Sequence, residues 1–285
     1  MLKAVIPAGG LGTRLLPATR EQPKEMLPVF ARDRRNNLSV IPLVQLIFEQ
    51  LFMVGVREFC FIVGRENRVL EDHFTPHRDY VSRLNERGRK DEAGDLERFY
   101  RQVKASKIVW ANQSEPLGFG HAVQQARSFT GNDSFLVHAG DTHVASKKPV
   151  AVERIIKEHT NSGGINTILL LQEVDDPRRY GVAEIDRNYD PYVVRRVVEK
   201  PTKPKSKLAI LPIYVFGASI YEALDHVSPD KRNEIQLTNA IQGLIDTDGN
   251  VLAIKLCRGD IWIDIGTPEN YWEALELSHR YVKRP

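Results

Sequence analysis

The chain opens Lys3-Ala4-Val5-Ile6-Pro7-Ala8-Gly9-Gly10-Leu11-Gly12-Thr13-Arg14, and Pro17, Thr19, Pro23, Lys24, Glu25, Met26, Leu27 and Pro28 follow soon after. Residues 3–8 read as a short buried strand. A glycine-rich loop leaves it at Gly9, with Arg14 and Lys24 just beyond. This is the layout of a phosphate cradle. Glycines let backbone N–H groups approach phosphate oxygens that a side chain would block. Arg14 and Lys24 bring the positive charge a triphosphate needs. Two better-known glycine loops are excluded. A dinucleotide fingerprint starting at Gly10 needs glycine at position 15, which is Leu15, and a P-loop needs Gly-Lys-Ser or Gly-Lys-Thr, which does not occur.

Outward from this loop, apolar strands at 58–63, 108–111 and 134–139 alternate with helical spacing at 40–52 (Ile41, Val44, Ile47, Phe48, Leu51) and at 119–129. The alternation predicts an α/β fold with a Rossmann-like, mixed but mostly parallel sheet and helices on both faces. Ligands on such a sheet bind beyond the carboxyl ends of the strands. Both the glycine loop and Asp141 fall at such ends. Residues 66–107 are dense in both charges, with Val81, Leu84, Leu96, Phe99 and Val103 spaced as in helices. They read as a helical insertion with a solvated face. Past residue 149, strands are expected at 165–174, 181–185, 192–199 and 208–216, and helices at 219–226, 236–246 and 268–281. No linker rich in Gly, Ser or Pro separates the halves, so one domain over 1–285 is expected.

The 285 residues are 42% apolar, enough for a sizeable core, and the net charge of +3 argues against a nucleic-acid binder driven by bulk charge. Cys60 and Cys257 sit in apolar runs and read as buried free thiols of a reducing compartment. No charged-then-apolar leader precedes the motif, and no apolar run approaches the length of a membrane helix. A cytoplasmic protein without membrane partners is expected.

Gly10-Leu11-Gly12-Thr13-Arg14, then Pro17, Thr19 and Lys24, resembles the signature of the sugar-phosphate nucleotidyltransferases. Lys24-Glu25-Met26-Leu27-Pro28 resembles in particular the bacterial-type UTP–glucose-1-phosphate uridylyltransferases, as does the helical insertion. Thymidylyltransferases more typically carry Lys-Gln at the first of these places and lack the insertion. The resemblance covers nearly the whole chain. It implies the nucleotide-diphospho-sugar transferase fold, a nucleotide-binding half (about 1–148) and a sugar-binding half (about 149–285). It also implies transfer of a uridylyl group from UTP to glucose 1-phosphate with Mg²⁺, and self-association. Phe48, Phe52, Phe99 and Trp272 are expected on partly exposed helix faces, which would suit a homo-oligomer.

Such a transfer needs no general base, because the attacking phosphate is already an anion. It needs alignment and neutralised charge. Asp141 and Asp264 are single acids leaving apolar strands, where a charge is costly without a partner. By residue type either could cap a helix or hold a cation. The resemblance selects both as metal ligands, Mg²⁺ being a hard cation that takes one or two carboxylates plus substrate phosphates. It implies catalytic roles for Arg14, Lys24, Asp141 and Lys200. Ala8, Gly9, Gly10, Gly12, Thr13, Gln113 and Gly118 are implied on the nucleotide, with Gln113 and Gly118 reading the pyrimidine edge and Ala8 and Gly9 contacting the base through backbone. Gly181, Glu199 and Lys200 are implied on the sugar phosphate. His121 and His138 read as structural.

Two departures stand out. The family's Glu-Ile-Gln-Leu-Thr-Asp segment ends here in Asn239, which is left without a role, and Glu234 is expected to cap or orient the site. Residues 31–37 are charged where relatives continue towards the next helix. A dTTP- or other-NTP-using relative is the alternative within the class. A non-catalytic sensing subunit is a second alternative, against which Arg14, Lys24, Asp141, Lys200 and Asp264 stand intact.

Overall fold

The computed structural model describes residues 2–64, 68–146, 150–163, 167–247 and 250–283. The expected boundary at 148–149, the start of the insertion at residue 66 and residues 165–166 of one expected strand lie outside these residues.

Strand β1 (Lys3–Pro7) runs into the glycine loop. A hairpin of β2 (Pro28–Arg32) and β3 (Leu38–Pro42) precedes helix α1 (Leu43–Met53). Next come β4 (Glu58–Val63), helices α2 (Arg68–His73), α3 (Arg78–Glu86) and α4 (Lys90–Lys104), and β5 (Lys107–Asn112). Helices α5 (Phe119–Gln124) and α6 (Arg127–Thr130) lead to β6 (Phe135–His138) and β7 (Thr142–Ala145). The second half holds α7 (Ala151–Asn161), β8 (Thr167–Glu173), β9 (Gly181–Asp186), β10 (Tyr192–Glu199) and β11 (Leu208–Phe216). Helices α8 (Ser219–Asp225) and α9 (Leu237–Thr247), strands β12 (Val251–Lys255) and β13 (Ile261–Asp264), and α10 (Pro268–Lys283) complete it.

Nine strands form one mixed sheet in the order β5-β4-β1-β6-β11-β8-β12-β10-β9. The four strands from β5 to β6 are parallel, whereas β11 joins β6 antiparallel and β9 joins β10 antiparallel. Strand periodicity sorts the core. Ala4, Ile6, Phe59, Phe61 and Leu136 face α1, α4 and α7, while Val5, Cys60, Ile62, Phe135 and Val137 face α5, α8 and α9. One layer of helices therefore covers each face. Among the described residues no helix is long and apolar enough to cross a membrane.

Several expectations need correction. The helical spacing at 40–52 spans two elements: Val40 and Ile41 pair with Phe30 and Val29 in the hairpin, and the helix starts only after Pro42. An apolar pair followed by proline suits a strand end as well as a helix start. The helix expected at 119–129 is interrupted at Gln125 and Ala126, which separate α5 from α6. Phe48 and Phe99 are buried, not exposed. Phe48 packs on Phe59, Phe74 and Phe99 at ring distances of 4.7, 5.2 and 6.0 Å. Truncating it to Ala would cost about 3–5 kcal/mol. Of the four aromatics, Trp272 is the exposed one. Cys257 is exposed, because β12 ends two residues before it.

The departure at 31–37 is the turn of the β2–β3 hairpin. Asp33 Oδ1 accepts hydrogen bonds from the backbone of Arg35 and Asn37, and Asn36 takes φ +68°. Arg34 and Arg35 then pair with Asp91 of α4 at 3.2 and 2.6 Å. The charged turn and the helical insertion are thus parts of one docked unit.

Candidate active site

Two groups of side chains gather at the carboxyl ends of the strands. The first surrounds the loop after β1. Gly12 takes φ +61°, and a Cβ there would meet Thr19 Cβ at 3.0 Å. Thr19 Oγ1 donates to the Gly12 carbonyl at 2.8 Å, fixing the turn that carries Thr13 and Arg14. Lys24 lies beneath the loop, its Cε and Nζ 3.7 and 3.8 Å from where a Gly10 Cβ would stand. Its Nζ meets Asp141 Oδ2 at 2.5 Å, with the side chains only 14% and 22% exposed.

The short β7–β13 ribbon brings the second carboxylate alongside. Asp264 pairs in register with Thr142, and the backbone N–H of Ile265 donates to the Asp141 carbonyl. Asp264 Oδ1 accepts from the Gly266 N–H and Oδ2 from Asn270 Nδ2. Thr267, not Asp264, accepts from the N–H of Asn270 in the first turn of α10. The capping reading of Asp264 therefore falls away. A Cβ on Gly266 would be 3.4 Å from Arg14 Nη2, so the exposed Arg14 reaches the same spot.

The electrostatics follow from burial. Burial opposes the charge on Lys24, yet Asp141 and Glu25 outweigh it and hold the ammonium above its ordinary range. Burial likewise opposes the Asp141 carboxylate, and Lys24 outweighs it and lowers its pKa. Burial and then the Asp141 charge raise Asp264. Glu25, which carried no assignment by sequence, is 2% exposed, and burial pushes its carboxyl up to about 8. Its place in the Lys24-Glu25-Met26-Leu27-Pro28 motif was its only signal. Two crowded carboxylates offering hard oxygens, with no group of three or more His, Cys, Asp or Glu among the described residues placed to hold a metal ion, fit a cation shared with substrate phosphates better than a closed protein cage.

Gln113 is buried and follows β5. Its Oε1 lies 3.2 Å from the Cβ position of Gly9, and its Nε2 donates to the Gly118 carbonyl at 3.1 Å. His121 Nδ1 lies 3.1 Å from the same Nε2, so this histidine helps orient Gln113. The Ala8 N–H is bonded to Ile62 O at 2.8 Å, so a base contact from Ala8 would not use it. Gly118 takes φ +98°, and a Cβ there would lie 2.9 Å from Ile235 O and 3.0 Å from Glu234 Cβ. Glu234 therefore packs under this loop, its Oε2 accepting from Gln236 Nε2. Asn239 is exposed on α9.

The second group sits on the β9–β10 hairpin, where Gly181 pairs with Glu199. Lys200 follows in the left-handed region, φ +41°, an uncommon conformation for a side-chain-bearing residue that is anchored by its N–H on Tyr180 O. Lys200 Nζ meets Glu199 Oε1 at 2.9 Å, and Thr238 Oγ1 donates to Glu199 Oε2 at 2.7 Å. Thr238 falls inside the segment that resembles the family's Glu-Ile-Gln-Leu-Thr-Asp, but the sequence alone attached no role to it. The two groups are linked: Tyr180 packs on Trp262 of β13 at 5.0 Å, and Arg179 Nη2 donates to Asn270 Oδ1, whose amide holds Asp264.

The family model described as nucleotidyl transferase matches residues 3–280. A UTP–glucose-1-phosphate uridylyltransferase of Staphylococcus haemolyticus is 35% identical over 246 residues, covering 84% of this chain and 80% of that protein. Among solved structures, a UDP-glucose pyrophosphorylase complexed with UDP-glucose aligns with a TM-score of 0.83 at 26% identity, covering 98% of this chain and 99% of that one. A UTP-bound enzyme of the same name class from Acinetobacter baumannii gives a TM-score of 0.84 at 26% identity, covering 100% and 95%.

Proposed function

The chain belongs to the nucleotidyl transferase family, and we propose that it transfers the uridylyl group of UTP to glucose 1-phosphate, forming UDP-glucose and pyrophosphate. The observation that carries the reading is the pairing of two ends. A glycine loop with Lys24 and two carboxylates stands at one, and Glu199–Lys200 opposite Gly181 at the other, joined through β13 and Asn270. The relatives' names supply the identity of the substrates.

In this reading a phosphate oxygen of glucose 1-phosphate attacks the α-phosphorus of UTP. A new P–O bond forms, the bond to the β-phosphate breaks, and pyrophosphate leaves with its electrons. Backbone N–H groups of the loop, Arg14 and Lys24 bind the triphosphate, and Lys24 faces the phosphorus where charge shifts most. Gln113 and Gly118 orient the uracil edge. Glu199 reads sugar hydroxyls, and Lys200 holds the sugar's phosphate in line. Family members generally use a divalent metal. We assign Mg²⁺, held by Asp141 and Asp264, which when bound neutralises phosphate charge.

We also read the chain as one folding unit, because the sheet runs unbroken from β5 to β9. It is assigned to a reducing cytoplasm, in keeping with two free cysteines. A homo-oligomer is assigned from Trp272, 70% exposed on α10; light scattering that gives the monomer mass at micromolar concentration contradicts it. The reaction is tested by pyrophosphate release across a matrix of nucleoside triphosphates and sugar 1-phosphates with Mg²⁺. UTP with glucose 1-phosphate should give the highest kcat/KM. A purine nucleotide or another sugar phosphate in that place overturns the assignment.

A further inference from the structure

We propose that Thr238 is a positioning residue that aims Glu199 and so sets how strictly the sugar is read. The inference rests on the reading of Glu199 as the sugar-hydroxyl reader. A carboxylate has about four lone-pair directions, and its selectivity depends on which of them face the ligand. Glu199 is held on both oxygens: Oε1 by Lys200 Nζ at 2.9 Å and Oε2 by Thr238 Oγ1 at 2.7 Å. The two donors come from different elements. Lys200 is the next residue in the hairpin and 43% exposed, so it can follow a rotating carboxylate. Thr238 cannot. It sits in the first turn of α9, 8% exposed, between Leu237 and the buried Ala240 and Ile241 that lock the helix onto the sheet.

Gly181 shows the same tightness from the other side. A Cβ there would come 3.0 Å from Thr238 Oγ1 and 3.3 Å from Glu199 Oε2. The glycine, the hydroxyl and the carboxylate therefore share one crowded point, and only a hydrogen there leaves the contact in place. Without the Thr238 hydroxyl, Oε2 loses its fixed donor. The carboxylate is then free to turn both oxygens onto Lys200. That misaims the hydroxyl reader and draws Lys200 away from the sugar's phosphate. Thr238 acts through Glu199 and has no part in binding UTP.

The test compares Thr238→Val, which keeps the shape and removes the donor, with Thr238→Ser, which keeps the donor. Steady-state kinetics vary each substrate separately and include galactose 1-phosphate, the 4-epimer. Val should raise the KM for glucose 1-phosphate about tenfold, as for one lost hydrogen bond to a charged group. It should leave the KM for UTP within about twofold and reduce the preference for glucose 1-phosphate over galactose 1-phosphate. Ser should restore both. If Val fails to fold, Ala takes its place with the same expectation. Wild-type kinetics in the donorless variant overturn the proposal, and so do equal defects in Val and Ser, which would mark a packing role. If wild-type protein does not turn over glucose 1-phosphate at all, the reading of the reaction falls and this proposal falls with it.

Discussion

The loop end and the hairpin end of the site handle charge in opposite ways. At the loop end Lys24, Asp141, Asp264 and Glu25 are packed against a parallel sheet core, and each changes the ionisation of another. At the hairpin end Glu199 and Lys200 sit on an antiparallel pair, and the lysine is almost half exposed. Charges confined in a dry place are strong and costly to disturb, whereas charges at a rim are weaker and adjustable. In the proposed reaction, the step with the largest charge movement takes place in the more buried setting and sugar recognition in the more open one.

The largest effect expected from this contrast lies at Asp141. Asp141→Ala should lower kcat by about 10³-fold or more, because a metal contact made at the transition state is worth several kcal/mol. Near-normal turnover with Mg²⁺ would mean that the loop end does not hold the metal. The buried charges should also govern stability against pH. Glu25 has a folded pKa of about 8 against an ordinary value of 4.5. A raised carboxyl stabilises fully below the unfolded pKa, and the contribution is lost as pH rises through 8. Unfolding by urea should therefore show falling stability from about pH 5 to pH 9, by up to about 4 kcal/mol for a shift of this size. Glu25→Gln, which mimics the neutral form, should flatten that fall. An unchanged slope in the variant would show that Glu25 is not the titrating group. A smaller effect concerns the base. UTP should exceed dTTP by about 10–200-fold in kcat/KM, since one extra methyl group is the steric difference at the ring. Equal rates would show that the Gln113–Gly118 edge leaves the 5-position open.

The sequence made the loop end easier to read than the hairpin end. An apolar strand, three glycines, Arg14 and Lys24 announce themselves within residues 3–24, and the strands β1, β4, β5 and β6 follow from their apolar runs. Glu199 and Lys200 were legible as a motif. The left-handed turn at Lys200 and the contact of Thr238 with Glu199 were not: Thr238 lies inside the segment that resembles the family's, but a hydroxyl in an amphipathic helix has no spacing that marks its tertiary contact. Glu25 escaped for a related reason: its Cγ lies only 2.9 Å from where a Cβ on Gly140 would stand, a neighbour remote from it in sequence. The β2–β3 hairpin was hidden because Val40 and Ile41 fit a helix period as well as a strand.

The division of the site is tested most directly by comparing Lys24→Ala and Lys200→Ala in one set of kinetics, varying UTP and glucose 1-phosphate in turn, with melting curves alongside. Lys24→Ala should chiefly lower kcat and, by leaving Asp141 unpaired in a buried place, destabilise the fold by about 3 kcal/mol. Lys200→Ala should raise the KM for glucose 1-phosphate more than that for UTP and change stability by under about 1 kcal/mol. Two variants with the same kinetic pattern and the same stability loss would contradict the account.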